Sequence, residues 1–142
     1  MRNKLVYLSV LLFAGTIILQ ACSNEQELNY RRYFVNGKGL YEKNCQNCHG
    51  VNGEGLGKLY PPLTDTLYLS KNRSILACII KDGLTGKITV SGVSYETEMP
   101  GNADLADIDI AQIIVYVTNS FGNKQGFYDQ GEVTADLKSC NN

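Results

Sequence analysis

Apolar residues are spread unevenly along the chain. The longest uncharged run, LVYLSVLLFAGTIIL from Leu5 to Leu19, covers fifteen positions directly after the basic residues Arg2 and Lys4. A membrane-spanning helix needs about 20 apolar residues, so a basic head with this shorter apolar body has the form of an export signal. The polar stretch SNEQELNYRRYFV, from Ser23 to Val35, shows no clean period and reads as a tether. As a flexible coil it would reach about 20 Å.

Periodic segments begin after the tether. Gly37, Leu40, Tyr41, Cys45 and Cys48 fall near one face at three- and four-residue spacings, which predicts a first helix over 36–48. Gly50, Gly53, Gly55 and Gly57 then interrupt the chain, which suits a loop wrapped tightly around something, and Tyr60-Pro61-Pro62-Leu63 follows as a rigid extended segment. Ile75, Leu76, Ile79 and Ile80 predict a second helix over 72–81, stopped by Asp82-Gly83. Lys87 to Tyr95 reads as a hairpin turning at Ser91-Gly92 and leading into Glu98-Met99-Pro100-Gly101. The strongest helical pattern is Ile110, Ile113, Ile114, Val117 and Phe121, which predicts a helix over 104–120. Asp104, Asp107 and Asp109 sit where acids favour its N-terminus, and Gly122 stops it. A short last helix is expected over 133–139. No internal repeat interrupts this order.

Composition narrows the class. A chain of 142 residues with 44% hydrophobic content has room for one core and a little more. Thirteen basic residues stand against fourteen acids, and removal of a signal carrying Arg2 and Lys4 would leave the remainder mildly acidic. A nucleic-acid binder needs a dense cationic surface, so that class is excluded. The charge is also polarised: 36–90 holds seven basic residues and four acids, 91–142 two lysines and eight acids. Such a dipole can steer a partner, although scattered surface charge ordinarily serves solubility.

The chemistry is concentrated in CQNCH, Cys45 to His49, which contains the only histidine of the chain. A structural zinc site wants four ligands, and no second cysteine pair is present, because Cys78 and Cys140 stand alone and far apart. A thioredoxin-like redox site wants the motif between a strand and a helix, and no strand precedes Cys45. Covalent haem attachment fits: two thiols one helical turn apart add to the porphyrin's vinyl groups, and the adjacent imidazole is the nearest side chain able to reach the iron. Across the iron, methionine or a second histidine is the usual partner. Apart from Met1, which leaves with the signal, Met99 is the sole methionine, and elimination makes it the sixth ligand. Pro100 biases Met99 to extended backbone, and Glu98 and Gly101 are expected to keep it out of regular structure. A methionine filling a core gap is the alternative.

With these residues on view, the stretch from Asn36 to Cys140 resembles a class I cytochrome c domain of bacterial lipoprotein type. Gly37, Tyr41, Cys45, Cys48, His49 and Gly50 fall where that family places its first-helix glycine, its aromatic and its haem motif. Tyr60-Pro61-Pro62-Leu63 is similar to the family's proline loop, and the resemblance implies that the Pro61 carbonyl accepts a hydrogen bond from the second nitrogen of His49. Gly86 through Pro100 resembles the hairpin and methionine loop of small cytochromes. Leu105 to Asn123 resembles the C-terminal helix, whose aromatic, here Tyr116, packs on the first helix at the glycine. The implied fold is all-α, about four helices around one covalently bound haem c, with a small β-hairpin before the methionine loop. Two positions depart from the family. Ala106 stands where a Ser or Thr cap is common, so Asp104 or Asp107 is expected to cap, and Phe121 stands where tryptophan is common.

Leu19-Gln20-Ala21-Cys22 looks like the cleavage and lipidation box of bacterial lipoproteins, with Cys22 as the lipidated residue; an uncleaved anchor is the alternative. The expected organisation is a signal over 1–21, a tether over 22–35 and a cytochrome c domain over 36–142. Both readings place the domain outside the cytoplasm, tied to a membrane, and Ser23 at the second mature position favours the outer one. In such an oxidising compartment Cys78 and Cys140 favour a disulfide. Two unpaired buried thiols stay open, because the sequence does not give their Cα separation. The function expected is a single-haem electron carrier, not an enzyme, working between redox proteins such as a quinol-oxidising complex or dehydrogenase and a terminal oxidase or reductase. A small haem peroxidase or gas sensor is one alternative and a fixed haem subunit of a larger complex is another. A lack of a second histidine and of a distal acid–base partner counts against peroxide chemistry.

Overall fold

The computed structural model describes residues 2–140, with side chains described at residues 4, 6, 7, 13 and 25–140. The chain divides into two compact units, Met1–Arg32 and Tyr33–Asn142. Helix α1 (Arg2–Asn44) supplies the described part of the first unit and enters the second. Among the described residues no helix is long and apolar enough to cross a membrane. Cys22 lies outside the residues whose side chains are described.

The second unit contains the remaining elements. They are α2 (Gln46–His49), α3 (Thr66–Lys71), a 3-10 turn (Arg73–Ile75), α4 (Leu76–Asp82), β1 (Gly83–Leu84), β2 (Ile88–Val90), β3 (Val93–Tyr95), β4 (Met99–Pro100), α5 (Asp107–Thr118) and α6 (Gln130–Leu137). Helix α5 is the centre of the core. Ile110, Ala111 and every residue from Ile113 to Thr118 are buried. A helix apolar on nearly all sides must be covered on nearly all sides, and α5 packs against α3, α4 and α6.

The 23–35 stretch, read as a coil tether, is instead helical. Its two glutamates, one glutamine, two arginines and one leucine are strong helix formers. Glu27 and Arg31 form an i,i+4 pair at 2.8 Å within the first unit. In the second unit Tyr33 meets Phe127 edge-on at 4.9 Å between ring centroids, and Phe34 meets Tyr116 at 5.2 Å. Those rings carry the folded unit two residues upstream of Val35.

Where α1 crosses α5, Gly37 removes the side chain that would separate them. A β-carbon there would stand 2.6 Å from the Gln112 carbonyl carbon and 3.0 Å from the Tyr116 β-carbon. Tyr41, fully buried, packs on Tyr116 and Phe121 one turn further on. The N-terminus of α5 is capped differently from expectation. Asp109 reaches back to accept from the Ala106 N–H at 3.2 Å, while Asp107 accepts from the Thr134 hydroxyl at 2.6 Å and ties α5 to α6. Alanine has no side-chain acceptor, so Asp109 supplies only the reciprocal half of a capping box, and its own N–H is met by the Ala106 carbonyl at 2.9 Å.

Two small antiparallel pairs complete the unit. β2 pairs with β3 through a two-residue turn, Ser91-Gly92, both at positive φ (49° and 77°). β1 pairs with β4 in the register Leu84↔Met99. Met99 was expected to lie outside regular structure; the extended backbone imposed by Pro100 instead makes it a strand residue once Gly83-Leu84 lies alongside.

Candidate functional site

The motif sits where α1 ends. Cys45 accepts the His49 N–H at 3.0 Å, so the backbone makes one further turn and brings the two cysteines and the histidine to adjacent positions. Cys45 and Cys48 are unbridged thiols. Burial pushes the Cys45 thiol up to about 11, with the neighbouring Cys48 adding to the shift, and it stands as a neutral thiol in an apolar wall. Tyr41 from α1 donates to the Gly50 carbonyl at 2.6 Å, fixing the chain immediately after His49.

His49 is 7% exposed. Its Nδ1 lies 3.0 Å from the Pro61 carbonyl oxygen, which can only accept, so Nδ1 carries the proton and Nε2 keeps its lone pair. Burial lowers the imidazole's affinity for a second proton, and the Pro61 hydrogen bond opposes that only in part. The ring is therefore held neutral with one coordinating nitrogen available. Pro61 reaches it because the glycine loop folds back. Gly55 donates to the His49 carbonyl at 2.8 Å, and Leu56 donates to the Tyr60 carbonyl at 3.0 Å.

His49 and Met99 line the same two adjoining cavities, together with Cys45, Pro61, Leu84 and Ile88. The first cavity is walled almost wholly by apolar side chains, among them Leu69, Leu76, Ile80, Ile113 and Val117. The second is lined also by Cys48, Tyr60, Thr97 and Glu98. Met99 is placed there by α4 and β1. Besides the β1–β4 pairing, Asn102 donates to the Ile80 carbonyl at 3.0 Å, and the Lys81 ammonium donates to the carbonyls of Ala103 and Leu105 at 2.8 and 2.6 Å.

The donor set fits a covalently bound haem. Two free thiols one turn apart, a neutral imidazole oriented by a carbonyl, a thioether and a long apolar cavity are what such a group requires. Among the described residues no group of three or more His, Cys, Asp or Glu is arranged to hold a metal ion directly. Of the other residues singled out by sequence, Cys78 on α4 and Cys140 are joined in a disulfide with Cα atoms 5.6 Å apart, and neither lines the cavities.

Sequence reasoning passed over Asp65 and Leu84. Asp65 caps α3 and also holds the β2–β3 turn, accepting from the Ser91 N–H and hydroxyl at 2.9 Å each. An aspartate directly before the short run TLYLSK was a readable helix start. Nothing in the sequence pairs Leu84 with Met99.

A protein-family model described as "Cytochrome c" matches residues 34–120. The chain is 30% identical over 93 residues to "Cytochrome c-552" of Thermus thermophilus, covering 63% of this chain and 70% of that protein. It is 31% identical over 104 residues to "Alcohol dehydrogenase (quinone), cytochrome c subunit" of Gluconacetobacter polyoxogenes, covering 71% of this chain but 21% of that subunit.

Proposed function

The chain belongs to the cytochrome c family, and on that premise we propose that it is a single-haem electron-transfer protein of the bacterial cell envelope, ligated by His49 and Met99. The observation that carries this reading is that α2 and β4, fifty residues apart in sequence, bring the only histidine and Met99 to one apolar cavity. Haem c, when bound, supplies a one-electron couple that needs no ligand bond made or broken. Cys45 and Cys48 would hold it covalently. Nε2 of His49, whose ring is oriented through Nδ1 by Pro61, and the Met99 thioether would be the protein's two donors to the iron. The aliphatic walls exclude water, which together with His/Met ligation favours the reduced state. No second histidine stands ready for acid–base work on peroxide, so the carrier reading is preferred to an enzyme or gas sensor.

A second reading is a haem module fixed in a larger oxidoreductase. It is favoured by the likeness to a cytochrome c subunit of a quinone alcohol dehydrogenase. We further propose that the export signal is removed before Cys22, that Cys22 carries the lipid, and that the domain faces the periplasm. Its partners would be a redox donor and acceptor, met through small, brief contacts.

The test is the absorption spectrum of the mature protein, oxidised and reduced. A weak sulfur-to-iron charge-transfer band should be present in the ferric protein and absent from Met99→Ala. A ferric spectrum without that band, or one unchanged by the substitution, would defeat the ligand assignment. Elution of the solubilised native protein alone, or with a companion, separates the carrier from the fixed subunit.

A further inference from the structure

Outside the set of ligands, one carboxylate joins two segments whose residues line the cavities, the start of α3 and the β2–β3 hairpin. Asp65 lies four residues beyond Pro61, at the start of α3. Its Oδ1 accepts the Tyr68 N–H at 2.9 Å, and its Oδ2 accepts both the N–H and the hydroxyl of Ser91 at 2.9 Å. Ser91 is the tip of the β2–β3 hairpin, held at φ 49° in a turn where glycine would be at ease. Residues on both sides of this contact line the cavities that His49 and Met99 share: Pro61, Leu63, Tyr68 and Leu69 around Asp65, and Ile88 and Tyr95 in the hairpin.

At its tip the hairpin is held by these hydrogen bonds and by Val90, which is buried beside Ser91. At its base the β1–β4 pairing holds Met99, and the Lys87–Glu96 pair at 3.6 Å is well exposed on both sides and adds little. Val90 and Tyr95 are buried beneath it, so release of the tip would expose apolar surface and open the wall at Ile88. Hydrogen bonds from the Tyr68 N–H and from Ser91 hold the Asp65 carboxyl below its usual range, so it is ionised at neutral pH. These are charge-assisted bonds, the stronger kind.

We propose that Asp65 is a positioning residue that latches the β2–β3 hairpin over the cavity, and that release of Ser91 from Asp65 governs how fast small molecules reach the Met99 side of the iron. The proposal rests on the His49/Met99 reading, and its test separates the two.

The probe is imidazole added to the ferric holoprotein, with binding followed by absorbance. Asp65→Ser keeps a good cap for α3 but is too short to hold Ser91 as well. Its imidazole binding should be about tenfold faster than that of the parent, the size expected for losing a charge-assisted hydrogen bond. Ser91→Gly keeps the N–H bond, suits the positive φ and should show a smaller acceleration. In Asp65→Ser the amides of 88–95 should exchange faster with solvent deuterium while those of α5 do not change. Unchanged imidazole binding overturns the proposal whether or not exchange in 88–95 rises, and so does acceleration that includes α5, which would mean general loosening. A parent protein that lacks the sulfur-to-iron band overturns the ligand assignment instead, and the exchange of 88–95 then decides the latch by itself.

Discussion

No β-carbon fits on Gly55 beside Pro61: one would stand 2.8 Å from the Pro61 carbonyl carbon and 2.9 Å from its oxygen, the oxygen that accepts from His49. Gly55 also holds φ at 69°, where side chains are strained. The glycine loop thus sets how closely the carbonyl approaches the imidazole. Gly55→Ala should destabilise the protein by about 1–3 kcal/mol and weaken the His49 hydrogen bond. A weaker bond makes the imidazole a poorer donor to oxidised iron, so the reduction potential should rise. Redox titration checks this, and a potential equal to that of the parent would count against the link.

Gly37→Ala is the contrasting case. Its β-carbon would press into the backbone of Gln112, which cannot move without shifting α5. We expect a loss of about 2–3 kcal/mol in urea unfolding, with the His49–Pro61 bond intact and the potential nearly unchanged.

Cys45 and Cys48 are both free for attachment. Cys48→Ser should retain haem through one thioether, leaving one vinyl group in conjugation with the porphyrin. The reduced pyridine complex should then absorb at longer wavelength than that of the parent. Extraction of the haem by acidified solvent from this single variant would show that Cys45 forms no bond.

Cys78 and Cys140 close a loop across 62 positions. By chain entropy that cross-link is worth about 4 kcal/mol. Cys140→Ser should lower the urea midpoint accordingly, and a reductant should do the same to the parent but nothing further to the variant. Equal midpoints with and without reductant in the parent would speak against a stabilising bridge.

Asp65 also predicts a pH dependence. Its carboxyl is held below the ordinary value by the Tyr68 N–H first and the Ser91 hydroxyl next, with Ser91 and Leu67 N–H groups helping and slight burial opposing. A depressed folded-state value stabilises the fold above the unfolded value of about 3.9, and the contribution is lost as pH falls through the folded value. The parent should therefore lose stability more steeply than Asp65→Asn below about pH 4. Parallel curves for the two proteins between pH 6 and that region and beneath it would remove Asp65 from the account.

Much of the site was legible because its signals are local. CQNCH places two thiols and an imidazole within one turn, a spacing that chemistry alone makes meaningful. Ile110, Ile113, Ile114 and Val117 repeat at helical intervals, and α5 falls inside the stretch they mark. Local signals misled where neighbours supply what a segment lacks. The 23–35 stretch has helix-forming residues without a clean apolar period, and Phe34 and Tyr33 find ring partners near the other end of the chain. At Ala106 no side chain replaces the missing acceptor: the backbone carbonyl takes the Asp109 N–H, and the Asp109 carboxylate takes the Ala106 N–H.

What the sequence by itself determined is an inventory: one histidine next to two cysteines, one methionine besides the initiator, three further cysteines at 22, 78 and 140, and an apolar central helix. Tertiary structure alone decided how these meet. Leu84 pairs with Met99, Asp65 holds Ser91, Cys78 joins Cys140, and His49 and Met99 come to line one cavity. Each of those relations spans from fifteen to more than sixty positions and depends on how α4 and α5 pack, because distance along the chain says nothing about distance in space once a core has formed around a central helix.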